Sequence, residues 1–331
     1  MYKFALYTVF VLSAIIICVS CGKEKENFKG IEEISFENYP KVDGSTSARA
    51  LNIMVACKLL GVRYSWQEIR ASTPWEHAVI PMYYEWVVTP KTQDIPKQHR
   101  EDFFGKRVMT SQTHGAFINL IDGNVDIILT HRTISPDEKA HADVVGVELI
   151  ETSIALDAFV FIVSPNNPVK SLTVEQVQKI YTGEITHWSE AGGYSAKIDV
   201  FTRPRNSGSE EVFRTLVMNG LEPSDFPEVS EIGGMAQVFS EVRGGNGICY
   251  TFNNYKDMIV RVSDNEVPKI AINNIFPDDK TVKNETYPFI SKVHVAIRSD
   301  LDRNSMAYKL YEWLQSEHAK YTLTECGFIP K

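Results

Sequence analysis

Cysteine is scarce in this chain of 331 residues, with five in all. Away from the N-terminal end only Cys57, Cys249 and Cys326 remain, an odd number without paired spacing, so neither a disulfide framework nor a cysteine-based zinc site is implied. Long basic runs are missing too, and the formal net charge is −8. Nucleic acid and an anionic membrane surface are therefore not expected partners, and any bound anion must be held by local donors rather than by overall charge. Beyond residue 40 there is no internal repeat and no low-complexity block. Downstream of residue 21 the signatures G-x-S-x-G, H-E-x-x-H, S-x-x-K and the P-loop are all absent. The eight histidines (His77, His99, His114, His131, His141, His187, His294 and His318) are scattered without metal-ligand spacing. A hydrolase, which needs a nucleophile beside a base or a metal cluster, is the weaker alternative to a binding module. No catalytic residue, cofactor or metal is expected.

What is present points to two domains, from length and from an ordinary composition of 44% hydrophobic and 23% charged residues. The N-terminus has a short positive start at Lys3, an apolar run from Phe4 to Val19 and small residues around Cys21. That pattern reads as a secretory signal, too short for a spanning helix, and its break resembles a lipoprotein signal with Cys21 as the lipidated residue. Residues 1–21 are thus assigned to the signal and 22–37 to a tether, placing the body outside the cytoplasm on a lipid anchor. Downstream, strand-like runs at 126–129, 158–163, 198–202, 248–252 and 293–297 alternate with amphipathic helical patterns. This alternation predicts an α/β architecture with mainly parallel sheets. Residues 62–105, rich in Trp, Tyr and Pro, read as an elaboration on one lobe. A monomer is expected.

The informative recurrence lies at three helix starts. Asp43-Gly44-Ser45-Thr46-Ser47 leads into a helix over 48–60. Thr110-Ser111-Gln112-Thr113-His114-Gly115 leads into one over 116–121, and Arg203-Pro204-Arg205-Asn206-Ser207-Gly208-Ser209 into one over 210–218. Serine and threonine are ordinary N-caps, and each segment alone reads as a cap. Three together, with an arginine four residues ahead of Ser207-Gly208, read as an anion cage. The first amides of a helix lack intrahelical acceptors, the helix dipole favours negative charge there, and glycine lets the backbone approach a ligand. A guanidinium adds a planar charged contact.

These residues resemble the phosphate-binding subunits of bacterial phosphate ABC importers, of the type II periplasmic-binding-protein fold. The resemblance covers about residues 40–331. It rests on Val42-Asp43-Gly44-Ser45-Thr46-Ser47 and on Gly123-Asn124-Val125-Asp126-Ile127 followed by Thr130-His131-Arg132. It rests further on Ile180-Tyr181-Thr182-Gly183-Glu184-Ile185-Thr186-His187-Trp188, on Arg203 with Ser207-Gly208-Ser209, and on Tyr287-Pro288 and the ending Gly327-Phe328-Ile329-Pro330. The resemblance implies two α/β lobes, 38–157 with 288–331 and 158–287, joined by crossover strands near 152–163 and 286–297. It implies an oxyanion ligand, inorganic phosphate first, with sulfate, molybdate or a small organic acid as alternatives, and an ABC-type permease as partner. Ser45, Thr46, Ser47, Ser111 or Thr113, Arg203, Ser207, Gly208 and Ser209 are the implied contacts. Where the family carries an acidic proton acceptor this chain has Arg132, an additional candidate donor, with His131 and Glu231 as substitute acceptors. Tyr181 and Trp188 are expected to pack rather than to bind.

Overall fold

A computed structural model describes residues 29–70, 84–229, 236–243 and 245–331. The signal segment with Cys21 and the residue Glu231 lie outside those residues. Of the expected tether, residues 29–37 pack against the body: Trp313 Nε1 donates to Lys29 O at 2.7 Å, and Phe36 meets Phe103 edge-on at 4.9 Å. Apolar Ile31, Ile34 and Phe36 are the reason, since they gain more by covering core residues than by staying in water.

The chain opens with β1 (Val42–Gly44), a 3-10 turn over Thr46–Ala48 and helix α1 (Arg49–Leu59). The hairpin β2 (Tyr64–Arg70) with β3 (Tyr84–Pro90) follows, antiparallel over seven register pairs. It forms the elaboration read in 62–105, and its Trp66 and Trp86 rings hold the Arg261 guanidinium at 4.9 and 4.1 Å. Next come α2 (Phe103–Lys106), α3 (Gln112–Ile121), β4 (Ile127–Thr130) and α4 (Pro136–Val145). Ser135 and Glu138 close a capping box at the start of α4.

Strand β5 (Leu149–Val163) is fifteen residues long and fully buried from Ile154 onward. Beyond it lie β6 (Ser171–Leu172), α5 (Val174–Tyr181), β7 (Asp199–Val200) and α6 (Gly208–Val212), which runs on as a π-helical turn over Phe213–Met218. Then come α7 (Ala236–Arg243), β8 (Gly247–Phe252), a second π-helical turn over Tyr255–Val260, β9 (Ala271–Ile272) and α8 (Asp279–Lys283). The chain returns along β10 (Ile290–Arg298) and ends with α9 (Met306–Leu314), α10 (Glu317–Glu325) and β11 (Ile329–Pro330).

The sheet order is β1-β4-β10-β5-β8-β7. Parallel pairs form at its two ends, β1 with β4 and β7 with β8, as the strand-helix alternation predicts. In the middle, β5 and β10 run antiparallel to each other and to their neighbours. The partner of β5 changes along its length: residues 149–158 pair with β10, and 159–163 pair with β8. The apolar run Ala158–Val163 suits the second half, where the strand is buried on both faces. Around its second half Phe159, Phe161, Tyr181, Phe213, Tyr250 and Phe289 interlock, with Phe213 and Tyr250 stacked at 4.4 Å. Tyr181 and Trp188 are fully buried in this core. The expected strand over 198–202 shortens to β7, two residues. Cys57, Cys249 and Cys326 are buried free thiols, and burial pushes Cys57 and Cys249 up to about 12.

Candidate anion-binding cleft

Three chain segments converge on a cavity of about 280 Å³ lined by Ser45, Thr46 and Ser47, by Gln112 to Gly115, and by Arg203 with Arg205 to Ser209. Phe252 and Tyr255 complete its wall. The first two segments enter from the β1–β4 end of the sheet, the third from the β7–β8 end. Among the described residues, no carboxylate lines the cavity.

The first segment is shaped by the close approach of β1 to β4. A Cβ built on Gly44 would lie 2.6 Å from Leu129 O, so only glycine lets the chain turn there. Ser45 N donates to Leu129 O, and Ser45 Oγ accepts from Ala48 N at 3.3 Å. The Ser47 hydroxyl lies 3.1 Å from that of Ser45 and 2.8 Å from His131 Nδ1.

In the second segment Gln112 takes a left-handed backbone, φ +63°, and opens α3 toward the cavity. Asp43, fully buried, holds this start in place. Its Oδ1 accepts from Gly44 N and Ser111 N, and its Oδ2 from Asn119 Nδ2.

The third segment turns at Asn206, φ +69°, and starts α6 with Ser207 as N-cap, its Oγ accepting from Glu210 N at 3.2 Å. Arg203 is nearly buried; its backbone N–H meets Tyr250 Oη at 3.0 Å and its Nη1 donates to Val229 O at 2.9 Å. Buried Glu210 accepts from Arg214 Nε and from the Tyr250 hydroxyl, so the loop is anchored to the aromatic core. Burial, with Glu210 beside it, holds the Tyr250 phenol well above its usual value.

A Cβ built on Gly208 would lie 2.5 Å from Thr113 Oγ1. The second and third segments therefore touch across the cleft, and Gly208 is needed for that approach. Of the residues expected to contribute, Ser45, Thr46, Ser47, Thr113, Arg203, Ser207, Gly208 and Ser209 all line the cavity.

Two expected contributors do not. Ser111 is exposed and outside the lining; its amide goes to Asp43 and its hydroxyl accepts from Asn119. Arg132 is not among the lining residues: both Nη atoms donate at 2.7 Å to the oxygens of Glu138, which is completely buried, and Nη2 also reaches Asn206 O at 3.5 Å. The physical reason is that a buried carboxylate takes the nearest two-pronged cation. His131 is also outside the lining, packed 4.5 Å from the Phe252 ring with its Nε2 3.5 Å from Asp157.

The sequence reading overlooks Gln112, His114, Gly115, Arg205, Asn206, Phe252 and Tyr255. Five of the seven lie inside the helix-start strings already singled out; Phe252 ends a predicted strand. Among the described residues, no three His, Cys, Asp or Glu side chains converge as a metal site, and no helix is long and apolar enough to cross a membrane.

Two α/β lobes joined by two crossover strands, with a donor-lined cavity between them, are the type II periplasmic-binding-protein fold. The chain matches the PBP superfamily domain over residues 71–318 and belongs to that superfamily. It is 26% identical over 183 residues to the phosphate-binding protein PstS of Bacillus subtilis, covering 55% of this chain and 58% of that protein. It is 23% identical over 184 residues to the PstS of Borreliella burgdorferi, covering 54% and 65%. The similarity thus spans less than two thirds of either relative. Among solved structures, an ABC-type phosphate transport receptor from Vibrio cholerae superposes with a TM-score of 0.59 at 23% identity, over 88% of this chain and 99% of that one. A Clostridium perfringens protein solved with bound phosphate gives 0.59 at 21%, over 90% and 100%.

Proposed function

We propose that this protein captures inorganic phosphate between its two lobes and presents it to the permease of an ABC importer. The observation that carries the reading is the cavity itself. It combines a buried arginine with helix-start amides and hydroxyls from both ends of the sheet, and among the described residues no acid lines it. Such a lining replaces the hydration shell of a tetrahedral anion donor for donor, at little electrostatic cost. The names of the relatives from Bacillus subtilis and Borreliella burgdorferi support phosphate as the ligand.

The lobes are assigned as 38–157 with 288–331, and 158–287. The switch of β5 from β10 to β8 after Ala158 supports that division. Closure by a hinge at the two crossovers follows from the connectivity. A secretory signal with lipidation at Cys21 would place the protein on the outer side of a membrane, and this assignment stands on the sequence pattern. Binding rather than catalysis is the activity assigned.

Calorimetric titration of phosphate, sulfate and molybdate into the chain tests the reading. Phosphate is expected to bind, and Arg203→Ala to weaken it about 100-fold, as for other truncated partners of a desolvated charge. Phosphate binding unchanged in Arg203→Ala would remove the site; turnover of p-nitrophenyl phosphate would replace binding with hydrolysis.

A further inference from the structure

We propose that His114 determines which oxyanion the cleft accepts, because Glu138 fixes its tautomer and leaves the Nε2 lone pair as the acceptor for a ligand O–H. The inference rests on the phosphate reading above and deepens it. His114 Nδ1 lies 3.0 Å from Glu138 Oε1. Glu138 is completely buried and accepts both Nη donors of Arg132 and the amide of Ser135. A carboxylate only accepts, so the shared hydrogen belongs to Nδ1. In the neutral ring Nε2 then carries a lone pair and no hydrogen. His114 lines the cavity with its side chain 43% exposed, and among the described residues its Nε2 has no hydrogen-bond partner.

The remaining lining explains why one fixed acceptor matters. Backbone amides and the guanidiniums of Arg203 and Arg205 only donate. The hydroxyls of Ser45, Thr46, Ser47, Thr113, Ser207 and Ser209 rotate to donate or accept, so none of them is a fixed acceptor. The side-chain amides of Gln112 and Asn206 turn either way and reject neither a protonated nor an unprotonated anion. Phosphate carries a proton at neutral pH and sulfate carries none. A fixed lone pair welcomes the first and leaves the second facing it lone pair to lone pair, unsatisfied on both sides. The charged and titratable groups facing the ring are Glu138 on α4, Arg132 in the turn after β4, and Arg203 and Arg205 on the loop before α6.

Phosphate and sulfate are titrated separately into the full chain, His114→Phe and His114→Gln at about pH 8, where an imidazole is ordinarily neutral. His114→Phe is expected to bind phosphate about 10- to 100-fold more weakly, the loss for an unpaired donor, while sulfate binds no more weakly because the opposing lone pair is gone. His114→Gln places a reversible amide near Nε2, so phosphate binding stays within about 10-fold of the parent while sulfate is admitted. The Gln variant keeps the test decisive if the Phe variant does not fold. A phosphate-to-sulfate ratio that is the same in the wild type and in each folded variant overturns the role of His114 and leaves the phosphate site intact. Wild-type protein that binds no phosphate overturns the underlying reading instead.

Discussion

The Asp43 carboxylate accepts the backbone amide of Ser111 at 2.8 Å, across 68 residues of sequence, while the same oxygen accepts Gly44 N at 2.7 Å. One buried acid thus sets the distance between two of the three helix starts. It satisfies amides that would otherwise point into the protein without a partner.

Asp43→Ala is expected to cost about 2–4 kcal/mol, since the buried Gly44 amide and the partly buried Ser111 and Asn119 donors lose their acceptor. Urea denaturation measures this, and titration of phosphate should show weaker binding as well, because the α3 start is no longer held against Ser45. Asp43→Asn, with one accepting oxygen left, should fall between. A variant as stable and as tightly binding as the parent would show that the two helix starts are held by other contacts.

Gly208→Ala puts a methyl group where Thr113 Oγ1 sits, 2.5 Å away. The clash is between lobes, so it should oppose closure more than folding. Phosphate affinity is expected to drop about tenfold or more while the thermal midpoint moves little, consistent with about 1–3 kcal/mol for overpacking. Adding Thr113→Ala removes the opposing oxygen and should recover part of the loss, a coupling that a double-mutant cycle reads directly.

Arg132→Ala strands Glu138 in the interior with only His114 and the Ser135 amide for company. A loss of about 3–5 kcal/mol is expected, as for other buried pairs broken on one side. Lysine should rescue poorly, because a single ammonium cannot donate to both oxygens at once. Chemical denaturation of the three proteins decides it; an Arg132→Lys variant as stable as the parent would show that the two-pronged geometry is dispensable.

His294 lies in β10 beside a register shift, and burial together with nearby His131 lowers it from 6.5 to about 4. Between those values the unfolded chain takes up a proton that the folded one does not. Stability is therefore full above about pH 6.5 and declines as the pH falls toward 4, by at most about 3 kcal/mol for this group. His294→Gln should show a shallower decline over the same window in denaturation series at pH 7, 5 and 4. Parallel declines would assign the acid sensitivity elsewhere.

The fold was legible because its signals are local. The strand at 158–163 announces itself by an unbroken apolar run and that at 248–252 by β-favouring residues, and the starts of α5 and α6 by hydroxyl caps at Thr173 and Ser207. The hairpin β2–β3 was not, because its aromatic residues answer to Arg261, nearly two hundred positions away. Arg132 shows the same limit at the site. Its place in the chain argues for the ligand, but a buried carboxylate six residues later competes for both Nη atoms, and burial is not written in spacing.

From the sequence alone come the three donor-rich helix starts, the arginine ahead of the third, and the α/β alternation that supports them, since caps, glycines and apolar periodicity act within a few residues of themselves. Only the folded chain decides which donors share one cavity, that Ser111 and Arg132 serve the scaffold instead, and that a histidine among eight meets Glu138. Those outcomes depend on the loss of water around groups brought together from distant segments, and hydration is a property of the assembled interior.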